Sequence, residues 1–318
     1  MMRWIALVVA VGAAGWPCVA GEVVELWPKE RRAETPDKPE RKDVVQTKAG
    51  RGITKVTDVS NPTIELFPPA KAQGPAPAVV ICPGGGYSIL AWDLEGTEIA
   101  EWLNSLGAAG VLLKYRVPRQ RDEAFQDAQR AVSVVRSRAK QWNIDPKAIG
   151  ILGFSAGGHL AARTSTNFGK RSYEPVDEAE KAPCRPDFSV LIYPAYLTTS
   201  GDAALDTATL PVDANTPPTF LAIACNDRFT PGAVLYFQAL RKAKVRSELH
   251  VFQFGGHGCG LRPTADNVTT WPEHCERWLR GLKVLPEKPA AAPRLSAKAP
   301  TGYTAATNAS THSKGTTR

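Results

Sequence analysis

The sequence predicts an α/β fold in which helices cover both faces of a mostly parallel central sheet. Short apolar segments alternate with segments of helical periodicity across residues 54–285, and this alternation is typical of parallel strands joined by crossover helices. Some of the short segments, such as residues 78–82, are apolar throughout. Continuous apolar runs of that length indicate strands buried on both faces, as in the middle of a parallel sheet.

The first strand of the series, residues 63–67, alternates apolar and polar side chains and is predicted to be a half-buried edge strand. Further strands are predicted at residues 78–82, 110–115, 148–152, 190–193, 220–224 and 249–252. Helices are predicted at residues 93–106, 122–142, 158–163, 231–243 and 271–282. Two irregular stretches, residues 168–186 and 195–218, interrupt the later elements. Because loops of such length are usually functional, we expect both to face the substrate.

The chain begins with a segment that is typical of a secretory signal peptide. Arg3 precedes an apolar run from Trp4 to Trp16, and small residues lead to a cleavage position near Ala20. The run is too short to span a bilayer comfortably, so stable membrane insertion is not expected. The sequence therefore predicts a secreted or periplasmic protein that loses residues 1–20. The charged, proline-bearing residues 21–53 are predicted to form an irregular arm.

The last segment, residues 286–318, consists mainly of Pro, Ala, Thr, Ser and Lys. Such a composition buries too little apolar surface to offset its ordering entropy, so the sequence predicts a disordered tail. This tail carries five basic residues and one acidic residue, and it therefore supplies half of the formal net charge of +8. The basic balance does not indicate nucleic-acid binding, because no basic stripe lies on a folded element.

Five cysteines remain once the signal segment is removed, and an odd number leaves at least one thiol without an intramolecular partner. Cys82 and Cys225 end apolar runs, and we expect them to be buried as small hydrophobic residues. Cys184, Cys259 and Cys275 could supply one disulfide in an oxidising compartment, with the pairing left open. No spacing of Cys and His indicates a metal site, and neither a metal nor a cofactor is expected.

The segment Gly-Phe-Ser-Ala-Gly at residues 153–157 lies between a predicted strand and a predicted helix. A serine at such a sharp strand-to-helix turn exposes its hydroxyl above the sheet. Glycines are needed on either side because a Cβ atom at Gly153 or Gly157 would clash with the neighbouring strand or helix. The context predicts that Ser155 is a nucleophile.

A serine nucleophile needs a base, and in this architecture the partners follow along the chain as serine, acid and histidine. Four of the five histidines are poorly placed: His159 beside the serine, His250 inside a strand, His274 at a helix start and His312 in the tail. His257 lies in the glycine-rich residues 255–260, directly after the last strand. A histidine there can turn over the sheet edge toward Ser155, and it is the predicted base.

Asp227 is the candidate acid. It follows the strand at residues 220–224 and precedes a helix opened by Pro231, and catalytic groups gather at such strand ends. Its alternative role is to cap that helix. The loop Pro-Gly-Gly-Gly-Tyr at residues 83–87 follows the central strand, and its backbone N–H groups, with that of Ala156, are predicted to form an oxyanion hole. A phosphate-binding role is disfavoured because no phosphate-loop motif is present.

Together, residues 83–87, 153–159, 227–228 and 256–258 resemble the secreted esterase branch of the α/β-hydrolase superfamily. That branch includes bacterial acetylxylan and feruloyl esterases and is related to the hormone-sensitive-lipase-like and prolyl-oligopeptidase-like groups. The resemblance implies an α/β-hydrolase fold with a catalytic domain over residues 54–285. It also implies these site residues: Ser155 as nucleophile, His257 as base, Asp227 as its orienting acid, and Gly85, Gly86 and Ala156 as oxyanion donors.

Two positions depart from the family pattern. Pro83 stands where a histidine often precedes the glycines, and Asn226 stands where a second aspartate is common. Tyr87 and Trp92 flank the glycine loop, and resemblance to glycan esterases implies that they stack on sugar rings. Core packing or loop anchoring is their alternative role.

The resemblance implies a serine esterase that removes acetyl or other small acyl groups from plant-type polysaccharides such as xylan, without a cofactor. Three alternatives remain: a carboxylesterase for small esters, an exopeptidase of the prolyl-oligopeptidase kind, and a non-catalytic binding module. The exopeptidase class usually carries a propeller domain, for which the residues ahead of residue 54 are too few. A binding module is disfavoured because no catalytic residue is lost. The acyl group, the glycan backbone and the oligomeric state stay open.

Overall fold

The structure, a computed structural model, describes residues 21–33, 38–47, 50–69, 74–199 and 203–285. The predicted signal peptide, residues 1–20, and the predicted tail, residues 286–318, lie outside the described residues. Among the residues described, no helix is both long enough and apolar enough to cross a membrane.

The strands of the described residues are numbered in chain order. They are β1 (Val23–Glu25), β2 (Arg41–Val45), β3 (Ile53–Thr57), β4 (Thr63–Phe67), β5 (Ala76–Cys82), β6 (Leu90–Ala91), β7 (Ala109–Lys114), β8 (Ile144–Phe154), β9 (Ser189–Ile192), β10 (Thr219–Ala224) and β11 (Ser247–Phe252). Eight of them form the central sheet in the order β1-β4-β7-β5-β8-β9-β10-β11. Strands β2, β3 and β6 form a separate antiparallel sheet.

The central sheet is parallel from β7 to β11, and only β1 and β4 run antiparallel to their neighbours. The predicted mostly parallel α/β fold is therefore confirmed. Strand β5 is buried along its whole length, because it lies inside the sheet and both of its faces are covered. This burial explains why its sequence is apolar without alternation.

Five α-helices flank the sheet within the described ranges: α1 (Glu98–Ser105), α2 (Arg121–Ser137), α3 (Ala156–Thr166), α4 (Thr230–Lys242) and α5 (Trp271–Gly281). Helices α1 and α5 meet through the rings of Trp102 and Trp271, whose centroids are 5.3 Å apart. Helix α2 packs against α3, and α4 packs against β10 and β11. A π-helical turn, Asp93–Thr97, leads into α1.

The arm predicted to be irregular contains regular structure, so that prediction is wrong. Strand β1 pairs with β4, and β2 pairs with β3, which itself spans the expected boundary at residue 54. The pairing with β1 also shows that residues 63–67 do not form an edge strand, and four of the five residues are buried. The arm is further fixed by Trp27, which is buried and donates its indole N–H to Asp127 Oδ1 at 2.7 Å.

The two irregular stretches have different surroundings, so the expectation that both face the substrate is not met. In residues 168–186, Asp177 and Glu180 form ion pairs with Arg130, which projects from α2 and is itself buried. That stretch therefore packs against α2 and stabilises it. Residues 195–218 instead contribute to a cavity beside the candidate catalytic residues.

All five cysteines in the described part of the chain are free thiols, so the disulfide considered among Cys184, Cys259 and Cys275 does not form. Cys184 points toward the carbonyl oxygen of Phe168 at 3.5 Å, whereas Cys275 is buried in α5. Cys82 is buried as expected, but Cys225 is exposed. It comes one residue after β10 ends, so the apolar run ends before it.

Candidate active site

Ser155 lies between the last residue of β8 and the first residue of α3. Its backbone has φ of 51° and ψ of −117°, a sparsely populated conformation that the surrounding structure must enforce. Its N–H donates to the carbonyl oxygen of Ile192 at 3.1 Å. A Cβ atom at Gly157 would lie 2.0 Å from the carbonyl oxygen of Cys82, so only glycine allows this close approach of helix and strand.

The three side chains predicted to act together are in hydrogen-bond contact. Nε2 of His257 lies 2.7 Å from Oγ of Ser155, and Nδ1 lies 2.6 Å from Oδ2 of Asp227. In the tautomer that suits a general base, Nδ1–H donates to Asp227 and Nε2 accepts the hydroxyl proton of Ser155. The geometry therefore allows His257 to remove that proton directly.

Asp227 contacts both the candidate base and the turn ahead of α4, although its side chain does not cap that helix. Its side chain is fully buried, and while Oδ2 faces His257, Oδ1 accepts the N–H of Phe229 at 3.0 Å. The second contact fixes the turn that leads into α4. Asn226 joins the loop after β10 to the loop that carries His257, because its Oδ1 accepts the N–H of Gly256 at 3.0 Å. The residue that departs from the family pattern thus positions the loop that carries His257.

The glycine loop passes close to Ser155, because a Cβ atom at Gly84 would lie 2.9 Å from Cβ of Ser155. Gly85 and Gly86 have φ of 133° and 66°, values that favour glycine. Within the described residues, neither of their N–H groups donates a hydrogen bond, and neither does that of Ala156 at the start of α3. By contrast, the N–H of Gly84 donates to Oε2 of Glu95 at 2.8 Å. Three uncommitted donors are therefore available where an oxyanion hole is predicted.

A cavity of about 650 Å³ opens beside the triad. Phe229, which lines it, has its ring centroid 5.2 Å from that of His257 and 5.5 Å from that of Tyr196, a second lining residue. The hydroxyl of Tyr196 lies 3.6 Å from the position that a Cβ atom would occupy at Gly86. The cavity therefore adjoins both the candidate base and the candidate oxyanion loop.

Tyr87 does not face this cavity, and the prediction that it stacks on a sugar is wrong. Only 2% of its surface is exposed, and its hydroxyl lies 2.7 Å from Nδ1 of His159. Burial and the nearby guanidinium groups of Arg121 and Arg163 lower the pKa of His159 to about 4. His159 is therefore neutral at pH 7, and Tyr87 and His159 form a buried pair beneath the site.

Trp92 is half-buried and packs against the core. Its backbone N–H donates to the carbonyl oxygen of Thr54 at 2.8 Å, and the ammonium of Lys42 lies 5.9 Å from the centroid of its ring. These contacts tie it to the small antiparallel sheet. Trp92 is not among the residues that line the cavity beside the triad, so its contacts fit the alternative role of loop anchoring.

Sequence reasoning missed Glu95, which is only 4% exposed. Its Oε2 accepts the N–H of Gly84, and its Oε1 accepts the hydroxyl of Tyr193 at 2.8 Å. The same hydroxyl accepts the N–H of Gly260 at 2.9 Å. Burial raises the pKa of Glu95. One buried carboxyl group therefore links the glycine loop to the loop that carries His257.

A signal for Glu95 was present in the sequence. It lies four residues before Ile99, and therefore on the apolar face of the predicted helix at residues 93–106. A carboxyl group on a buried helical face needs hydrogen-bond partners, because burying it without them is costly. Such a residue in the segment after the glycine loop indicates a structural or functional network.

Replacing Glu95 by glutamine is expected to lower the free energy of unfolding by about 1–3 kcal/mol, the usual cost of leaving a buried polar group unpaired. The amide group cannot accept from both Gly84 and Tyr193, whose hydroxyl would then lose its acceptor. We also expect ester hydrolysis to fall roughly tenfold to a hundredfold, since both loops lose their link. Urea denaturation and p-nitrophenyl acetate hydrolysis measure the two effects.

The matched control is Glu101→Gln, because Glu101 is exposed on α1. It should leave both quantities unchanged. Equal unfolding midpoints and equal rates for the Glu95 and Glu101 variants would contradict a positioning role for the Glu95 network.

Comparison with known proteins identifies relatives of this chain. The family model described as BD-FAE matches residues 64–191. The chain is 33% identical over 230 residues to the acetylxylan esterase of Xylanibacter ruminicola, a match that covers 64% of this chain and 44% of that protein. The chain thus spans less than half the length of this curated relative.

Two solved structures resemble the fold. The acetyl ester-xyloside bifunctional hydrolase from Caldicellulosiruptor lactoaceticus is 31% identical, with a TM-score of 0.68 and coverage of 84% of this chain and 98% of that one. MGS-M1, an alpha/beta hydrolase enzyme from a deep-sea metagenome library of the Medee basin, is 27% identical, with a TM-score of 0.59 and coverage of 77% and 98%.

A mostly parallel sheet that carries a serine on a strained strand-to-helix turn, with aspartate and histidine after later strands, defines the α/β-hydrolase class. The matched family and the two solved structures agree with that assignment. The chain belongs to the acetylxylan-esterase-like branch of the α/β-hydrolase superfamily.

Proposed function

We propose that this protein is a secreted serine esterase that hydrolyses acetyl or other small acyl esters on plant-type polysaccharides such as xylan. The observation that carries the proposal is the unbroken series of contacts from Ser155 through His257 to Asp227, at 2.7 Å and 2.6 Å. A serine, a base and a buried acid in this arrangement perform acyl transfer on several unrelated folds.

In the proposed reaction, His257 removes the proton of Ser155 as Oγ attacks the ester carbonyl carbon. The N–H groups of Gly85, Gly86 and Ala156 stabilise the negative charge that develops on the carbonyl oxygen. His257 then protonates the leaving sugar hydroxyl, which leaves an acyl group on Ser155. Water attacks this acyl-enzyme with His257 again as base, and the acid is released. Asp227 stabilises the imidazolium formed in each step.

The substrate class is supported by similarity. The curated relative is named an acetylxylan esterase, and the more similar of the two solved structures is named an acetyl ester-xyloside bifunctional hydrolase. Export is part of the proposal, because residues 1–20 have the pattern of a signal peptide. An acylated polysaccharide is too large to enter a cell intact, and export would bring the esterase to it.

The test measures acetate release by the full chain from acetylated xylan. p-Nitrophenyl acetate serves as a second substrate that contains no glycan. We expect release from both. Hydrolysis of the chromogenic ester without acetate from xylan would retain the esterase and reject the glycan substrate. Hydrolysis of neither ester would reject the esterase and favour the binding module, and cleavage of peptide p-nitroanilides would favour the exopeptidase.

A further inference from the structure

The cavity beside the triad contains two arginines that have no acidic partner in the part of the chain that the structure describes. Arg121 and Arg228 both line it and are exposed. Among the residues that the structure describes, neither guanidinium group forms an ion pair or a side-chain hydrogen bond. This contrasts with Arg163, which lines the same cavity and pairs with Asp122 at 2.8 Å.

Aromatic rings position both guanidinium groups. The guanidinium carbon of Arg121 lies 4.7 Å from the ring centroid of Tyr196, and that of Arg228 lies 4.6 Å from the ring centroid of Phe229. A guanidinium group stacked on a ring keeps its planar edge of N–H donors available. That edge matches the two oxygens of a carboxylate. The stacking therefore orders the cations without using their donors.

The remaining charged and titratable groups of the cavity neutralise this pair only in part. Asp206 accepts the hydroxyl of Thr209 at 2.7 Å and its backbone N–H at 3.3 Å, and these contacts lower the pKa of Asp206. Asp206 therefore keeps its negative charge, but the cavity lining still has three arginines against two aspartates. His159 is neutral at pH 7 because its pKa is about 4.

The two arginines lie close to the triad, where they can contact a bound substrate. Phe229, under Arg228, touches the ring of His257, and Tyr196, under Arg121, adjoins the glycine loop. His159 lines the cavity, and its backbone N–H donates to the carbonyl oxygen of Ser155 at 3.1 Å. A substrate whose ester reaches Ser155 therefore has its neighbouring groups beside these two arginines.

We propose that this cavity binds a carboxylate carried by the ester substrate, with Arg121 and Arg228 as its ligands. The inference rests on the proposed esterase function and narrows its substrate class to acidic esters. The carboxylate belongs either to a uronic acid substituent of the glycan or to a dicarboxylic acyl group. Both sources present the same planar anion, and they are distinguished by experiment.

The first arm of the test keeps the acyl group constant and compares acetate release from acetylated glucuronoxylan with release from acetylated xylan that lacks uronic acid. The second arm compares p-nitrophenyl hemisuccinate with p-nitrophenyl acetate. We expect kcat/KM to be higher for the acidic member in one arm, which identifies the source. Charge-assisted contacts of this kind are usually worth about tenfold or more.

Arg121→Gln and Arg228→Gln should each reduce that preference by roughly five- to tenfold while leaving p-nitrophenyl acetate hydrolysis unchanged. The preference of the unmodified protein should also shrink as salt screens the exposed charges. The control is Arg246→Gln, which removes an equal charge from an exposed position ahead of β11. If the wild type and the Arg121→Gln/Arg228→Gln double variant show equal preferences for the acidic substrate, at low and at high salt, the proposal is overturned.

A binding measurement separates this inference from the esterase proposal. Calorimetric titration of a xylo-oligosaccharide that carries glucuronic acid, without any ester, should show tighter binding than titration of its neutral counterpart. The difference should be lost in the Arg121→Gln/Arg228→Gln double variant. If the protein hydrolyses esters but binds both oligosaccharides equally and shows no preference for hemisuccinate, the carboxylate site is refuted and the esterase remains.

Discussion

Replacing Ser155 by alanine is expected to lower kcat for p-nitrophenyl acetate and for acetylated xylan by about a millionfold. Losses of that size follow removal of a triad nucleophile, because the base and the acid have nothing left to activate. The residual rate comes from the oxyanion donors and from substrate binding alone. The fold should be retained, since among the described residues the only side-chain hydrogen bond that Ser155 makes is the one to Nε2 of His257.

Ser165→Ala provides the matched control. Ser165 lies on the same helix, α3, and its buried hydroxyl has no hydrogen-bond partner within the described residues. Removing an unpaired buried hydroxyl is neutral or stabilising, so the control should keep full activity.

A fluorophosphonate probe adds a readout that does not depend on the substrate. We expect the intact mass of the wild type and of the Ser165→Ala variant to increase by one adduct, and the Ser155→Ala variant to stay unlabelled. Activity close to that of the wild type, or labelling, in the Ser155→Ala variant would reject the proposed nucleophile, and with it the acyl-enzyme.

The convergence of the triad could be predicted because it depends on sheet topology. Ser155, Asp227 and His257 each come shortly after a strand, namely β8, β10 and β11. These strands lie within four consecutive parallel positions of the sheet. Parallel strands end at the same edge, so motifs after neighbouring strands meet there. Chain order and strand ends were therefore sufficient to place three side chains separated by up to 102 residues.

The strands of the arm could not be predicted, because their partners are distant and their burial is irregular. Strand β1 has only three residues and pairs with β4, about forty positions later. Strand β2 is exposed at every position. A strand without an apolar face has no period-two pattern, and only its partner indicates that it is a strand.

The direction in which a loop side chain points could not be predicted from the sequence either. Tyr87 follows two glycines with positive φ and itself has φ of 57°, which turns its ring into the core toward His159. Sequence indicates that an aromatic residue flanks the glycine loop, but not on which side of the backbone it lies. Phe229 and Tyr196 are the aromatic residues that line the cavity, and both lie in irregular segments without periodicity.

Replacing Asp227 by asparagine is expected to reduce kcat by about ten-thousandfold with little change in the fold. Asparagine retains an oxygen that can accept the N–H of Phe229, so the turn into α4 should persist. Its amide group would then donate to Nδ1 of His257, where the carboxylate now accepts. That contact favours the tautomer with the proton on Nε2, which cannot accept the proton of Ser155. An equivalent substitution in another serine triad has an effect of this size.

Asp213→Asn is the matched control, because Oδ1 of the exposed Asp213 accepts the N–H two residues later at 2.8 Å, as Asp227 does, without contacting a histidine. Both variants should unfold within about 1 kcal/mol of the wild type, the usual net value of one such hydrogen bond. Only Asp227→Asn should lose activity. If it keeps more than about a tenth of wild-type kcat, orientation of His257 does not depend on the carboxylate, and the 2.6 Å contact is structural. A large loss of kcat with an unchanged unfolding midpoint instead assigns Asp227 to the reaction, because a role limited to the contact with Phe229, which asparagine keeps, would leave both quantities intact.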